Sequence, residues 1–68
     1  MELVREITTT GSLKVYKANI QTTVRKVLED VGLENKFFVI LVNGKQADPL
    51  HLVNQHDEIT ILPRIAGG

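Results

Sequence analysis

Cysteine is absent from the 68 residues. That absence excludes disulfides, thiolate zinc sites, iron–sulfur clusters and a cysteine nucleophile. An excess of either charge is also missing, because eight Lys and Arg balance eight Asp and Glu. A general binder of nucleic acid or of anionic membranes would need a basic surplus. No apolar run approaches the roughly 20 residues that span a bilayer. Met1-Glu2-Leu3-Val4-Arg5 lacks the basic-then-apolar pattern of a secretion signal. There is no Pro/Gly/Ser-rich linker, internal repeat or low-complexity tract. The expectation is one small cytoplasmic domain. A chain this short buries only about 60 % of its extended surface. With no cross-links, the 43 % of apolar residues must supply the stability.

The apolar pattern divides the chain into short elements. Leu3, Val4 and Ile7 mark a first strand over Met1–Thr8, and Thr10-Gly11-Ser12 is a turn. Leu13–Ala18 alternates, with Leu13 and Val15 on one side and Lys14 and Tyr16 on the other, so the two strands form a hairpin. Val24, Val27, Leu28 and Val31 form one helical stripe. Thr23 is the expected N-cap and Gly32 the left-handed stop, giving a helix over about Val24 to Val31. Phe37–Val42 is a continuous apolar run closed by Asn43-Gly44, a strong hairpin signal. A short return strand is expected around Gln46-Ala47, cut by Asp48-Pro49. Leu50, Leu52 and Val53 are expected to cluster in an irregular crossover. Glu58–Leu62 is the last strand, closed by Pro63.

One helix covers only one face of a sheet, so the order hairpin, helix, strand, short strand, strand implies an α+β fold. The expected sheet is mixed, of four to five strands. Its first and last strands would pair in parallel at the centre.

Three pieces of sequence carry a resemblance. They are Val42-Asn43-Gly44-Lys45, Asp57-Glu58-Ile59-Thr60-Ile61-Leu62-Pro63, and terminal Ala66-Gly67-Gly68; the helix start Thr23-Val24 with Val27-Leu28 also fits. The second and third are the specific ones. Over its whole length the chain resembles the ubiquitin-like β-grasp proteins of the small sulfur-carrier group. That group includes the molybdopterin synthase small subunit, the thiamine sulfur carrier and archaeal ubiquitin-like modifiers. Where such proteins usually carry an Asp-Gly-Asp turn, this chain reads Gln55-His56-Asp57. His tolerates positive φ better than most residues, so the turn is expected to survive.

The resemblance implies a β-grasp domain over residues 1–63 and a flexible tail over 64–68. It implies a carrier rather than an enzyme, with no catalytic side chain of its own. The Gly68 carboxylate would be adenylated by an E1-like partner that brings ATP and magnesium. A thiocarboxylate would follow, donating sulfur for molybdopterin, thiamine or tRNA thiolation. Gly67, Ala66 and Ile65 complete the tail. Two glycines let bare backbone thread a narrow tunnel, and a Cβ at Gly68 would crowd the carbonyl under attack. No cofactor, nucleic acid or membrane partner is expected for the chain itself. With no cysteine present, carried sulfur has only the Gly68 carbonyl to sit on. Two rivals stay open: a modifier joined through Gly68 to target lysines, and a non-catalytic β-grasp binding domain with an inert tail.

A docking surface is expected on the sheet. If the helix covers Phe38, Ile40 and Val42, then Phe37, Val39 and Leu41 lie on the open face with Leu62 beside them. Arg64 would add a contact to an acidic patch on a partner. The remaining groups give little. His51 and His56 lack further ligands, so no metal site is expected. Glu29 and Asp30 are adjacent on the helix and point in different directions. There is no Ser-His-Asp arrangement, phosphate loop or GxGxxG.

Overall fold

The computed structural model describes residues 2–11, 13–33 and 38–63. The elements are β1 (Val4–Thr10), β2 (Leu13–Ala18), β3 (Thr22–Thr23), α1 (Val24–Asp30), β4 (Phe38–Val42), β5 (Lys45–Gln46), β6 (Leu52–Val53) and β7 (Glu58–Pro63). Five strands form the main sheet in the order β1-β2-β7-β4-β5, and β3 pairs with β6 in a small second sheet. The fold is α+β, with α1 packed on one face of the sheet through Val24 and Val27, both fully buried. No helix of the described chain is long and apolar enough to cross a membrane.

The helix begins and ends where its local chemistry requires. Thr23 is extended, and its hydroxyl accepts from the Lys26 N–H at 3.3 Å. Two more free amides of the first turn are satisfied from outside: Val24 N donates to His51 O and Arg25 N to Pro49 O. At the other end Gly32 has φ 74, and the bonds Gly32 N to Glu29 O and Leu33 N to Leu28 O close the last turn. That pair of bonds needs a left-handed residue, which glycine supplies without a Cβ clash. Arg25 and Glu29 pair at 3.4 Å on the exposed face, a contact of small energetic weight.

Alternation decides which side chains meet the helix. Ile59 and Ile61 of β7 face it, opposite Val42 and Ile40 of β4, and Tyr16 of β2 lies opposite Ile59 on the other side. All five are buried, together with Val4, Ala18 and Val53. The expected inward set of β4 is therefore correct: Ile40 and Val42 are buried, and Phe38 packs half-buried against the core. Thr22 is also buried, and its hydroxyl has no hydrogen-bond partner among the described residues.

The strand order departs from expectation at the centre. Among the described residues the sheet is not mixed: every pairing is antiparallel, and β7 lies between β2 and β4 rather than beside β1. β1 does run in the same direction as β7, but β2 separates them. Burial explains the choice. β1 buries only Val4 and exposes its other six residues, whereas every β2 residue is at least half-buried. A polar strand suits an edge, and β1 also carries a register shift between Glu6 and Thr8 that blunts that edge.

The crossover before β7 also differs. Only Val53 of the expected apolar cluster is buried; Leu50 and Leu52 are 79 % and 52 % exposed. The segment is not irregular throughout, because Leu52–Val53 pairs with Thr22–Thr23 as β6. Its backbone is committed to capping α1, which holds the Leu50 side chain away from the core. β5 sits one residue earlier than expected, at Lys45–Gln46.

Candidate functional site

The face of the sheet opposite α1 is built by the other half of the alternation. Val39 of β4 lies opposite Leu62 of β7, and Leu41 lies opposite Thr60. On the far side of β7, Thr60 lies opposite Val15 of β2. Leu13, two residues before Val15, shares its face. All of these side chains are half-buried by their neighbours in the sheet. Among the described residues no second layer covers this face. At one end Lys17 lies opposite both Glu58 and Arg5, which gives the apolar strip a charged margin.

Val39, Leu41 and Leu62 therefore come together as the sequence implied. Leu13 and Val15 join them, which the sequence reading did not assign to this face. Their alternation was visible; what could not be read was that β2, and not β1, neighbours β7. Phe37 and Arg64 lie outside the described residues, as do Ile65, Ala66, Gly67 and Gly68. What the fold does define is the strand that leads to them, since β7 runs through the middle of the sheet and reaches Pro63.

The start of β7 is fastened by a polar clasp. Asn43, in the β4–β5 turn, donates from Nδ2 to Asp57 Oδ1 at 3.0 Å, and its Oδ1 accepts from the Glu58 N–H at 2.9 Å. Its own backbone N–H donates to Glu58 O at 2.8 Å. The second Asp57 oxygen accepts from the Asn54 N–H at 2.9 Å. Asn43 and Gly44 have φ 52 and 84, as an Asn-Gly hairpin turn requires, and His56 has φ 76. The His56 substitution in the turn before β7 is thus accommodated in the left-handed region.

These hydrogen bonds stabilise the ionised Asp57. The Asn43 amide, then the Asn54 N–H, hold its carboxyl below the usual carboxylate range; desolvation opposes this, and His51 adds a smaller favourable field. A depressed carboxyl pKa gives stability that is present above the unfolded value, about 3.9, and is lost as pH falls through the folded value. The stability difference between the natural chain and Asn43→Gly is therefore expected to shrink between about pH 5 and pH 2. Glycine keeps the turn conformation while removing the amide. Thermal melts at the two pH values test this, and a difference independent of pH would show that the clasp does not act through ionised Asp57.

His51 and His56 are exposed, and among the described residues no three His, Cys, Asp or Glu side chains come together to hold a metal. Glu29 and Asp30 are occupied separately, Glu29 by Arg25 and Asp30 by the Leu3 N–H.

In a comparison with known protein families, the ThiS family model matches residues 3–68. No curated protein and no solved structure matches the chain.

Proposed function

The chain belongs to the ThiS family of ubiquitin-like, β-grasp sulfur carriers, and from that premise we propose that it carries sulfur as a thiocarboxylate on Gly68. Members of this family are carriers rather than enzymes, and they work with E1-like adenylating enzymes and sulfur-accepting synthases. The observation that carries the finer reading is the Ala66-Gly67-Gly68 ending within a family match that reaches residue 68, in a chain without cysteine.

The chemistry follows from the group available. A carboxylate acylates poorly until one oxygen becomes a good leaving group. A Gly68 carboxylate oxygen attacks the α-phosphorus of ATP, and pyrophosphate departs, leaving an acyl-adenylate. A partner persulfide then attacks the Gly68 carbonyl carbon and AMP leaves. The resulting acyl disulfide is cleaved by a second partner thiol, which forms a disulfide with the persulfide's own sulfur and releases the thiocarboxylate. Magnesium and the groups that stabilise the phosphate charge belong to the activating enzyme. The acceptor is a sulfur-incorporating synthase for thiamine or molybdopterin, or a tRNA thiolase.

The strip of Leu13, Val15, Val39, Leu41 and Leu62 is the surface this reading assigns to the activating enzyme. Apart from Thr60 between Val15 and Leu41 it is apolar, it includes Leu62 of the strand that reaches Pro63, and it lies on the face opposite the helix. Its side chains are half-buried and no second layer covers them among the described residues, which supports a role as a protein contact. Leu41→Lys is expected to raise the KM for the carrier in adenylation by roughly tenfold or more while leaving kcat nearly unchanged. Adenylation kinetics against carrier concentration give that split, and an unchanged KM would move the docking surface elsewhere.

The whole reading is tested by incubating the chain with ATP and the adenylating enzyme of its host. Intact-mass measurement should show the AMP adduct, then replacement of one oxygen by sulfur once a persulfide donor is supplied. Absence of any adduct on Gly68 rejects the proposal. Gly-Gly remnants on target lysines, without thiocarboxylate, would instead identify a protein modifier.

A further inference from the structure

The chain contains four asparagines, and only Asn43 precedes a glycine. A glycine leaves the following peptide nitrogen unshielded by a side chain, so that nitrogen can attack the asparagine Cγ. The new bond joins Gly44 N to Asn43 Cγ. The bond from Cγ to Nδ2 breaks, and Nδ2 leaves as ammonia with the proton lost by Gly44 N. Water then opens the cyclic succinimide at either carbonyl, giving aspartate or isoaspartate. Nothing beyond water is consumed, and no change of oxidation state occurs. Asparagine is for this reason among the thermolabile residues.

Asn43 and Gly44 are both exposed to that water. The Asn43 side chain, however, is tethered across the hairpin. The Glu58 N–H can only donate, so the atom it meets at 2.9 Å is the amide oxygen, and Nδ2 is left to donate to Asp57 at 3.0 Å. Ring closure asks Cγ to leave these partners and turn onto its own chain neighbour, and it asks Nδ2 to depart from an ionised acceptor. Each requirement breaks part of the clasp.

The product reverses the interaction. An aspartate at this position has no N–H to offer Asp57, so two carboxylates face each other where a donor met an acceptor. Isoaspartate adds a backbone methylene and shifts the turn as well. The entry to β7 is then no longer fastened to the β4–β5 turn. We propose that Asn43 is a slow, non-enzymatic modification site, held back by its hydrogen bonds to Asp57 and Glu58, whose conversion to aspartate or isoaspartate unfastens the entry to β7.

Incubation of the full chain at mildly alkaline pH, followed by peptide mapping, reads the conversion from the mass gained when oxygen replaces NH at Asn43. In urea Asn43 should convert before Asn19, Asn35 or Asn54. In native buffer it should convert at least roughly tenfold more slowly, because a charge-assisted hydrogen bond must open first. Asp57→Ala, once circular dichroism shows it folded, should recover much of the urea rate. A native rate equal to the urea rate overturns the restraint, and so does a folded Asp57→Ala chain that converts no faster than the natural one. Should Asp57→Ala fail to fold, the native-to-urea ratio decides alone. The consequence has its own test: Asn43→Asp should melt lower by roughly 5 °C, and an unchanged melting temperature overturns it.

Discussion

A chain extended by one alanine beyond Gly68 is expected to form acyl-adenylate at least roughly a hundredfold more slowly than the natural chain, with its fold unaltered. One added residue moves the terminal carboxylate by about 3.5 Å along an extended tail. It also places a Cβ beside the carbonyl that must be attacked. An activating site built around bare glycine has no reason to accommodate either change, and a misplacement of about 1 Å can already cost a hundredfold. The loss should appear in pyrophosphate release and in the AMP adduct, while far-ultraviolet circular dichroism stays the same. Deleting Gly68 should be as damaging, since it withdraws the carboxylate by the same distance. An extended chain activated at the natural rate would mean that the reactive group is not the carboxylate of Gly68.

Ile59→Ala is expected to unfold a large share of the protein at ambient temperature. Ile59 is fully buried in the central strand, between Tyr16 and Val42. Truncations of this kind cost about 2–5 kcal/mol, from lost transfer energy and the cavity left behind. A domain of this length has total stability of only about 3–10 kcal/mol. The companion change Leu62→Ala, three residues later on the opposite face, removes a side chain that is only half-buried and should cost no more than about 1.5 kcal/mol. Urea titration of the two variants makes the comparison directly. Equal losses would mean that the two faces of β7 are not, as assigned, one core-facing and one open.

That contrast also measures how far the residues could be read before the fold was known. The helix was legible almost completely, because its signals are local. Thr23 caps it, the stripe through Val24 and Val27 faces the core, and Gly32 takes the left-handed position at its end. Asn43-Gly44 was legible for the same reason. So was the two-sided character of β4, whose continuous apolar run buries Ile40 and Val42 in the core and leaves Val39 and Leu41 half-buried on the opposite face. The crossover was not legible. Leu50 and Leu52 were expected to cluster with Val53 in an irregular crossover, but the Pro49 and His51 carbonyls are engaged with the first turn of α1, and both leucines are exposed.

Composition and spacing were enough to show that these residues include no cysteine and to indicate the α+β class, the helix with its caps and the family resemblance. Each depends on residue identity within a few positions or on the chain as a whole. The neighbours of β7 were a different matter. Strand pairing joins residues far apart along the chain, as Tyr16 and Ile59 are, and period-two alternation is satisfied equally well by several orders. Only the competition for burial, which drew β2 inward and left polar β1 at the edge, placed Leu13 and Val15 beside Val39, Leu41 and Leu62.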